Sequence, residues 1–267
     1  MTNMWSRIRH YLSVYQVFII TSLSEAMSYR LHFVMLVLMD LMFYGATLMS
    51  ADIIYDHVAL IGNWRREQLL FFLAIMLMIN QLHMTFVSEN FWIFPIHLRT
   101  GTLDFILLKP IHPLFPSFFR YIRVGSFFNI FVTLGIVVYY GKLVGLSWLS
   151  WVALVPSIFM GFLLLSILEM TIACSMFWML EGTGINFLRI ELQQLSRWPD
   201  FIYGSVARRL LTWVIPVLMI GNPAAKFLMD VHDFIPMIFM GIMTAVVWGF
   251  LNFFWQLGLR TYESASS

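Results

Sequence analysis

LLFFLAIMLMINQLHMTFV, residues 69–87, supplies the roughly 20 apolar residues that a helix needs to cross the hydrocarbon core of a bilayer. Its strongly polar side chains, Asn80, Gln81 and His83, gather near one end. Four further runs repeat the pattern: 31–49, interrupted by Asp40; 118–140, entered through Arg120 and Arg123; 149–180; and 235–257. The run 149–180 exceeds one crossing, so Pro156 kinks it or its first turns lie along the surface.

Composition agrees with these runs. Of 267 residues, 60% are hydrophobic and 11% charged. Soluble domains carry about 25% charged residues, so this chain lacks the polar side chains that cover a water-facing surface. It reads as an all-α polytopic membrane protein, a single transmembrane domain over 1–267. The net charge of +2 is small and the basic residues are dispersed, which excludes a nucleic-acid partner. One cysteine, Cys174, can form neither an internal disulfide nor a cysteine metal cluster. The apolar patch 17–20 is too short for a signal peptide, so insertion starts from the first full span.

Ahead of that span, residues 11–30 place Tyr11, Leu12, Tyr15, Phe18, Ile19, Leu23, Ala26 and Met27 on one helical stripe. A helix lying in the membrane surface is expected there, with lipids as its partner. Residues 204–221 are harder to place. Eleven apolar residues, LLTWVIPVLMI, rise only about 16 Å against a core of about 30 Å. Pro216 interrupts them, and Asn222 and Pro223 follow. The segment is either a span completed by 203–207 or a re-entrant helix held by neighbouring protein.

Counted as a span it gives six crossings. With the first residues in the cytoplasm, all of the 16 Lys and Arg except Arg65, Arg66, Lys142 and Lys226 fall on the inner side. The positive-inside rule then predicts both termini in the cytoplasm.

This topology puts RTGTLDFILLKPIHP, residues 99–113, in the cytoplasm. Gly101 turns the chain, Thr102 caps a helix, Asp104 and Lys109 suit the two dipole ends, and Pro110 stops it, so the spacing predicts a helix over 102–109. Leu103, Ile106 and Leu107 form one stripe, with Phe105 and Leu108 on another. A helix apolar on two sides suits two neighbours; one lying on lipid headgroups would need a single apolar face. Further on, Leu188, Leu192 and Leu195 share a face against Arg189, Glu191, Gln193 and Gln194, which predicts a second cytoplasmic amphipathic helix over 186–197, ended by Pro199.

The order of these parts resembles the permease subunits of type-2 ATP-binding-cassette exporters. It looks most like the bacterial branch of stand-alone permeases that includes viologen-exporter-like proteins. Gly101, Leu103, Asp104, Leu108, Lys109 and Pro110 carry the likeness in the first segment, and Pro199, Pro216, Asn222 and Pro223 in the second. The resemblance implies that 102–109 is a coupling helix seated on a separate ATPase, with Gly101, Thr102, Leu103, Asp104, Phe105, Leu108, Lys109 and Pro110 as the coupling residues. It also implies a second permease copy or a related permease as partner, and the bacterial inner membrane as location. The chain has no G-x-x-x-x-G-K-[ST] phosphate loop, so no cofactor is expected in it, and ATP and magnesium belong to the ATPase.

Asp40, Asn80, His83 and Glu169 are polar within apolar runs, where a charge costs about 2.5–3.5 kcal/mol to insert. They either line a translocation path or pair with neighbouring spans. An ion-coupled carrier using Asp40 and Glu169 is the alternative function. The histidines form no H-E-x-x-H pair, and no metal site or catalytic residue is expected.

Overall fold

The computed structural model describes residues 4–28, 30–179 and 182–262. It is 82% helical, and no strand occurs among the described residues. In chain order the helices are α1 Met4–Ser28, α2 Arg30–Tyr55, α3 Arg66–Phe86, α4 Ser88–Arg99, α5 Thr102–Leu107, α6 Leu114–Phe119, α7 Val124–Val144, α8 Trp148–Ala173, α9 Thr183–Leu195, α10 Ser205–Trp213, α11 Asn222–Met229 and α12 Ile235–Thr261. Five stretches are long and apolar enough to cross a membrane: Phe33–Tyr55, Arg66–Arg99, Val124–Val144, Trp148–Phe177 and Ile235–Thr261. The protein is an all-α polytopic membrane protein.

The helix grown from residues 69–87 is the centre of the bundle. In α3, 83% of the apolar window is buried, against 6% in α2. It packs on α2, α7 and α8, while α12 packs on α8. Lipid tails are as apolar as leucine, so burial in a bilayer gives little drive for helix association; shape and interhelical polar contacts specify which faces meet.

Several boundaries differ from the sequence reading. α1 is already helical at Met4, ahead of the expected Tyr11, and along it Ser13, Thr21 and Ser24 donate their hydroxyls to the carbonyls of His10, Val17 and Ile20. The crossing expected over 69–87 continues after a break at Val87 through α4, with Pro95 inside it. The run 149–180 is helical through Ala173 and ends in a 3-10 turn, Cys174–Phe177. Tyr29 and Leu180, which fall inside two expected segments, lie outside the described residues.

The largest correction concerns 186–197 and 204–221. α9 packs within the bundle through Asn186, Arg189 and Gln193, and it is the longer stretch 182–201 that runs from one end to the other. At its start a Cβ on Gly182 would meet Pro95 of α4 at 2.4 Å. Further along, Asn186 donates to the Phe91 carbonyl at 3.0 Å and Gln193 to Asn80 at 2.9 Å. Past its end, Phe201 packs edge-on against Trp64, with ring centroids 5.1 Å apart, in the turn between α2 and α3. The chain thus passes from the end of the bundle that carries 99–113 to the opposite end. Its buried face is polar (Asn186, Arg189, Gln193), and Phe187 and Leu188 point outward. The rest of the helix is mixed: Glu191 and Gln194 are exposed as well, Ile185 is buried, and Leu192 and Leu195 pack on the core.

α10 and α11 belong to one sharply bent pair rather than a straight helix. The two segments Ser205–Trp213 and Val217–Met229 are bent by 76° at Pro216. The turn dips until the Ile220 carbonyl lies 2.6 Å from where a Cβ of Gly161, midway along α8, would stand. Lys226 of α11 then returns to Asp200, at 2.8 Å, beside the point of departure. The bundle-length helical passages among the described residues are therefore α2, α3–α4, α7, α8 and α12, and the stretch 182–201 also passes from end to end. Arg208 and Arg209 move to the end that holds Arg65 and Arg66, which narrows the charge bias read from the sequence.

Candidate functional site

At the 99–113 end, Gly101 takes φ +70°, the left-handed region that glycine enters without strain, and turns the chain out of α4 into α5. Gly101 is also the N-cap residue. Thr102 is the first helical residue and makes no cap; its hydroxyl meets that of Thr100. The helix stops at Leu107, before Lys109, because Pro110 forces an early turn: Lys109 N–H bonds Ile106 O at 3.3 Å and Ile111 N–H bonds Lys109 O at 2.8 Å.

The two stripes of α5 separate as two surfaces. Leu103 and Ile106 are 0% and 2% exposed, packed into the core against α4. Phe105 and Leu108 are 68% and 81% exposed. Leu107, placed by spacing with Leu103 and Ile106, is 37% exposed and turns toward the open side. Lys109 and Pro110 are exposed beside it. Asp104 lies against the Tyr262 hydroxyl just past α12; burial and this carboxylate push the tyrosine above its ordinary pKa.

Behind α5 the contacts are rigid. Asn90 of α4 grips Tyr121 from both sides, donating to its carbonyl and accepting from its N–H, each at 2.9 Å. Phe94 packs on Phe118 at 4.9 Å and Phe177 on Trp255 at 5.4 Å, joining α4 to α6, to the turn after α8, and to α12. α5 is thus connected to α3 through α4, and to α12 through the aromatic cluster.

The intramembrane polar residues form two layers, one on each side of α3. On one side Asp40 accepts from Asn129 at 3.0 Å and Ser126 at 3.1 Å, with Arg123 at 3.9 Å. Tyr44 donates to Gln81, which donates to the Ser126 carbonyl. On the other side Glu169 pairs with Arg189, and His83 Nε2 lies 3.1 Å from the same carboxylate oxygen. Arg189 also sits over the Phe91 ring, 4.3 Å from its centroid. Asn80, His83 and Glu169, read as possible path residues, are 7%, 0% and 2% exposed and meet partners inside the subunit. Asp40 is the one of the four on the weakly covered α2.

Sequence reasoning missed Asn186, Arg189 and Gln193. The signal was there: they fall at i, i+3 and i+7 on one helical face, and Glu169 needed a cation. It also missed the clasp that holds the re-entrant turn. Asp200 accepts from Arg208 at 2.7 Å and Lys226 at 2.8 Å. Burial raises its pKa, but Lys226 and Arg208 lower it further, leaving the carboxyl below the usual carboxylate range. Asn222 ties the same spot, accepting from the Asp200 N–H at 2.9 Å and donating to the Leu218 carbonyl at 3.0 Å, while Pro223 starts α11.

The profile of the family described as ABC-2 family transporter protein matches residues 41–266, from within the first apolar helix to beyond the last. No curated protein and no solved structure matches the chain. An all-helical bundle of membrane-length segments, matched over nearly its whole extent, belongs to the ABC-2 transporter family as a membrane component of an ABC transporter.

Proposed function

We propose that this chain is the permease subunit of an ATP-driven exporter, coupled to a separate ATPase subunit through 99–113. The observation that carries the reading is the division of α5: Leu103 and Ile106 anchor it, and Phe105, Leu107 and Leu108 stand open beside Lys109. An apolar patch held outward on a fixed helix fits a protein partner. The Phe94, Phe118, Phe177 and Trp255 rings give that partner a second lever, on α12. ATP and magnesium act in the ATPase, and α5 lies on the cytoplasmic side with both termini, in the bacterial inner membrane.

Two permeases, identical or related, enclose the path between them. The broad apolar face of α2 is the surface for this pairing, and Asp40 the polar group nearest to it. The branch resembling viologen exporters suits a cationic, drug-like substrate, with Asp40 as counter-charge. The ion-coupled reading is weakened because Glu169, one of its two carboxylates, is already neutralised by Arg189.

The test is purification from the native host in mild detergent. A nucleotide-hydrolysing subunit that follows the wild-type chain and is lost with Phe105→Glu/Leu108→Glu supports the reading. An ATPase retained by that variant with full activity and transport overturns it.

A further inference from the structure

Two grooves open side by side along α1. One, of about 590 Å³, is lined by Arg7 and His10 of α1 and by Lys109 and His112 beyond α5, with no acidic side chain in its wall. The other, of about 790 Å³, is almost wholly apolar and runs between Ile8 and Leu12 of α1 and Phe159, Phe162, Leu163 and Met170 of α8. Arg7 and Tyr11 line both, so the grooves adjoin along a shared wall. Tyr11 marks the boundary: its hydroxyl accepts from the His112 N–H at 2.8 Å, and its ring meets Phe115 edge-on at 5.3 Å.

We propose that this joined groove holds an anionic phospholipid, its phosphate among Arg7, His10, Lys109 and His112 and an acyl chain along α8. The basic mouth sits at the 99–113 end of the bundle, where a headgroup would be. From Met170 back to Phe159 the apolar part follows roughly 16 Å of helix toward mid-bundle, the course of an acyl chain. Two permanent cations without a neighbouring acid favour a headgroup of net negative charge over a zwitterion, by about tenfold or more. A free phosphate or nucleotide would leave the apolar half empty. Because Lys109 belongs to the segment that follows α5, the bound lipid fastens α1 to the coupling region. The site needs no ATPase, so it stands or falls apart from the function proposed above.

The purified full chain in detergent is given phosphatidylglycerol carrying a photoreactive acyl chain, the same acyl chain on phosphatidylcholine, or phosphatidylglycerol with millimolar inorganic phosphate. The expected result is adducts concentrated on Ile8, Leu12 and the 159–170 face of α8, about tenfold more with phosphatidylglycerol, from the two cations at the mouth. Arg7→Gln/His10→Gln brings that labelling down to the phosphatidylcholine level. Equal labelling by the two lipids, or adducts spread along the outer faces of α7 and α12, overturns the proposal. Suppression by inorganic phosphate alone would make this a free-phosphate site and overturns it as well.

Discussion

Arg189, at 1% side-chain exposure, is paired with Glu169, at 2%. Removing one member of a buried pair strands the other. Arg189→Met is therefore expected to cost about 3–5 kcal/mol, while Glu169→Met/Arg189→Met, with both charges gone, lies closer to wild type. Thermal unfolding of the two variants in the same detergent reads the difference; a double variant as unstable as the single one would remove the pair from the account. Asp200 gives a pH signature. Its folded pKa lies below the unfolded one, about 3.9, so its stabilisation is present above that value and fades as pH falls through the folded pKa. Unfolding followed between pH 6 and pH 3 should show a loss in the wild type that Asp200→Asn flattens.

At the scale of elements, the apolar spans and α5 were legible because each has a pattern that a membrane or a cap imposes: long apolar runs, glycine before, proline after. α9 was not. A helix that turns Asn186, Arg189 and Gln193 to protein and leaves Glu191 and Gln194 outside looks, in sequence, like a helix on water, and only the partners on α3 and α8 tell the two apart. For the same reason Glu169 stood open between a path residue and a paired one until Arg189 was seen beside it. Cys174 is buried, so single cysteines on the surface can report α9 cleanly. Gly184 and Gly204 have open space around them. Gly184→Cys and Gly204→Cys should react with a membrane-impermeant thiol reagent from opposite sides of the membrane; reaction of both from one side would return α9 to the surface. For α5, Phe105→Glu/Leu108→Glu should leave stability within about 0.5 kcal/mol of wild type, as exposed substitutions do. Leu103→Glu, which buries a charge, should destabilise strongly in the same unfolding assay.

For the whole molecule, α3 joins the parts that must act together. It carries Gln81 in one polar layer and Asn80 and His83 in the other, and it continues through α4 into α5. Under the proposed function, a clamp closing on α5 would have a packed route to both layers, and to α12 through Phe94, Phe177 and Trp255. Two-state switching of a transporter needs such discrete packed elements rather than a flexible linker. The direct measurement is photocrosslinking from position 105, with benzoylphenylalanine in place of Phe105 in cells that express the whole transporter, and a control at Phe127, exposed on α7. The account predicts an adduct from position 105 to a protein that binds and hydrolyses ATP, and none from position 127. Adducts from position 105 to lipid alone would contradict it.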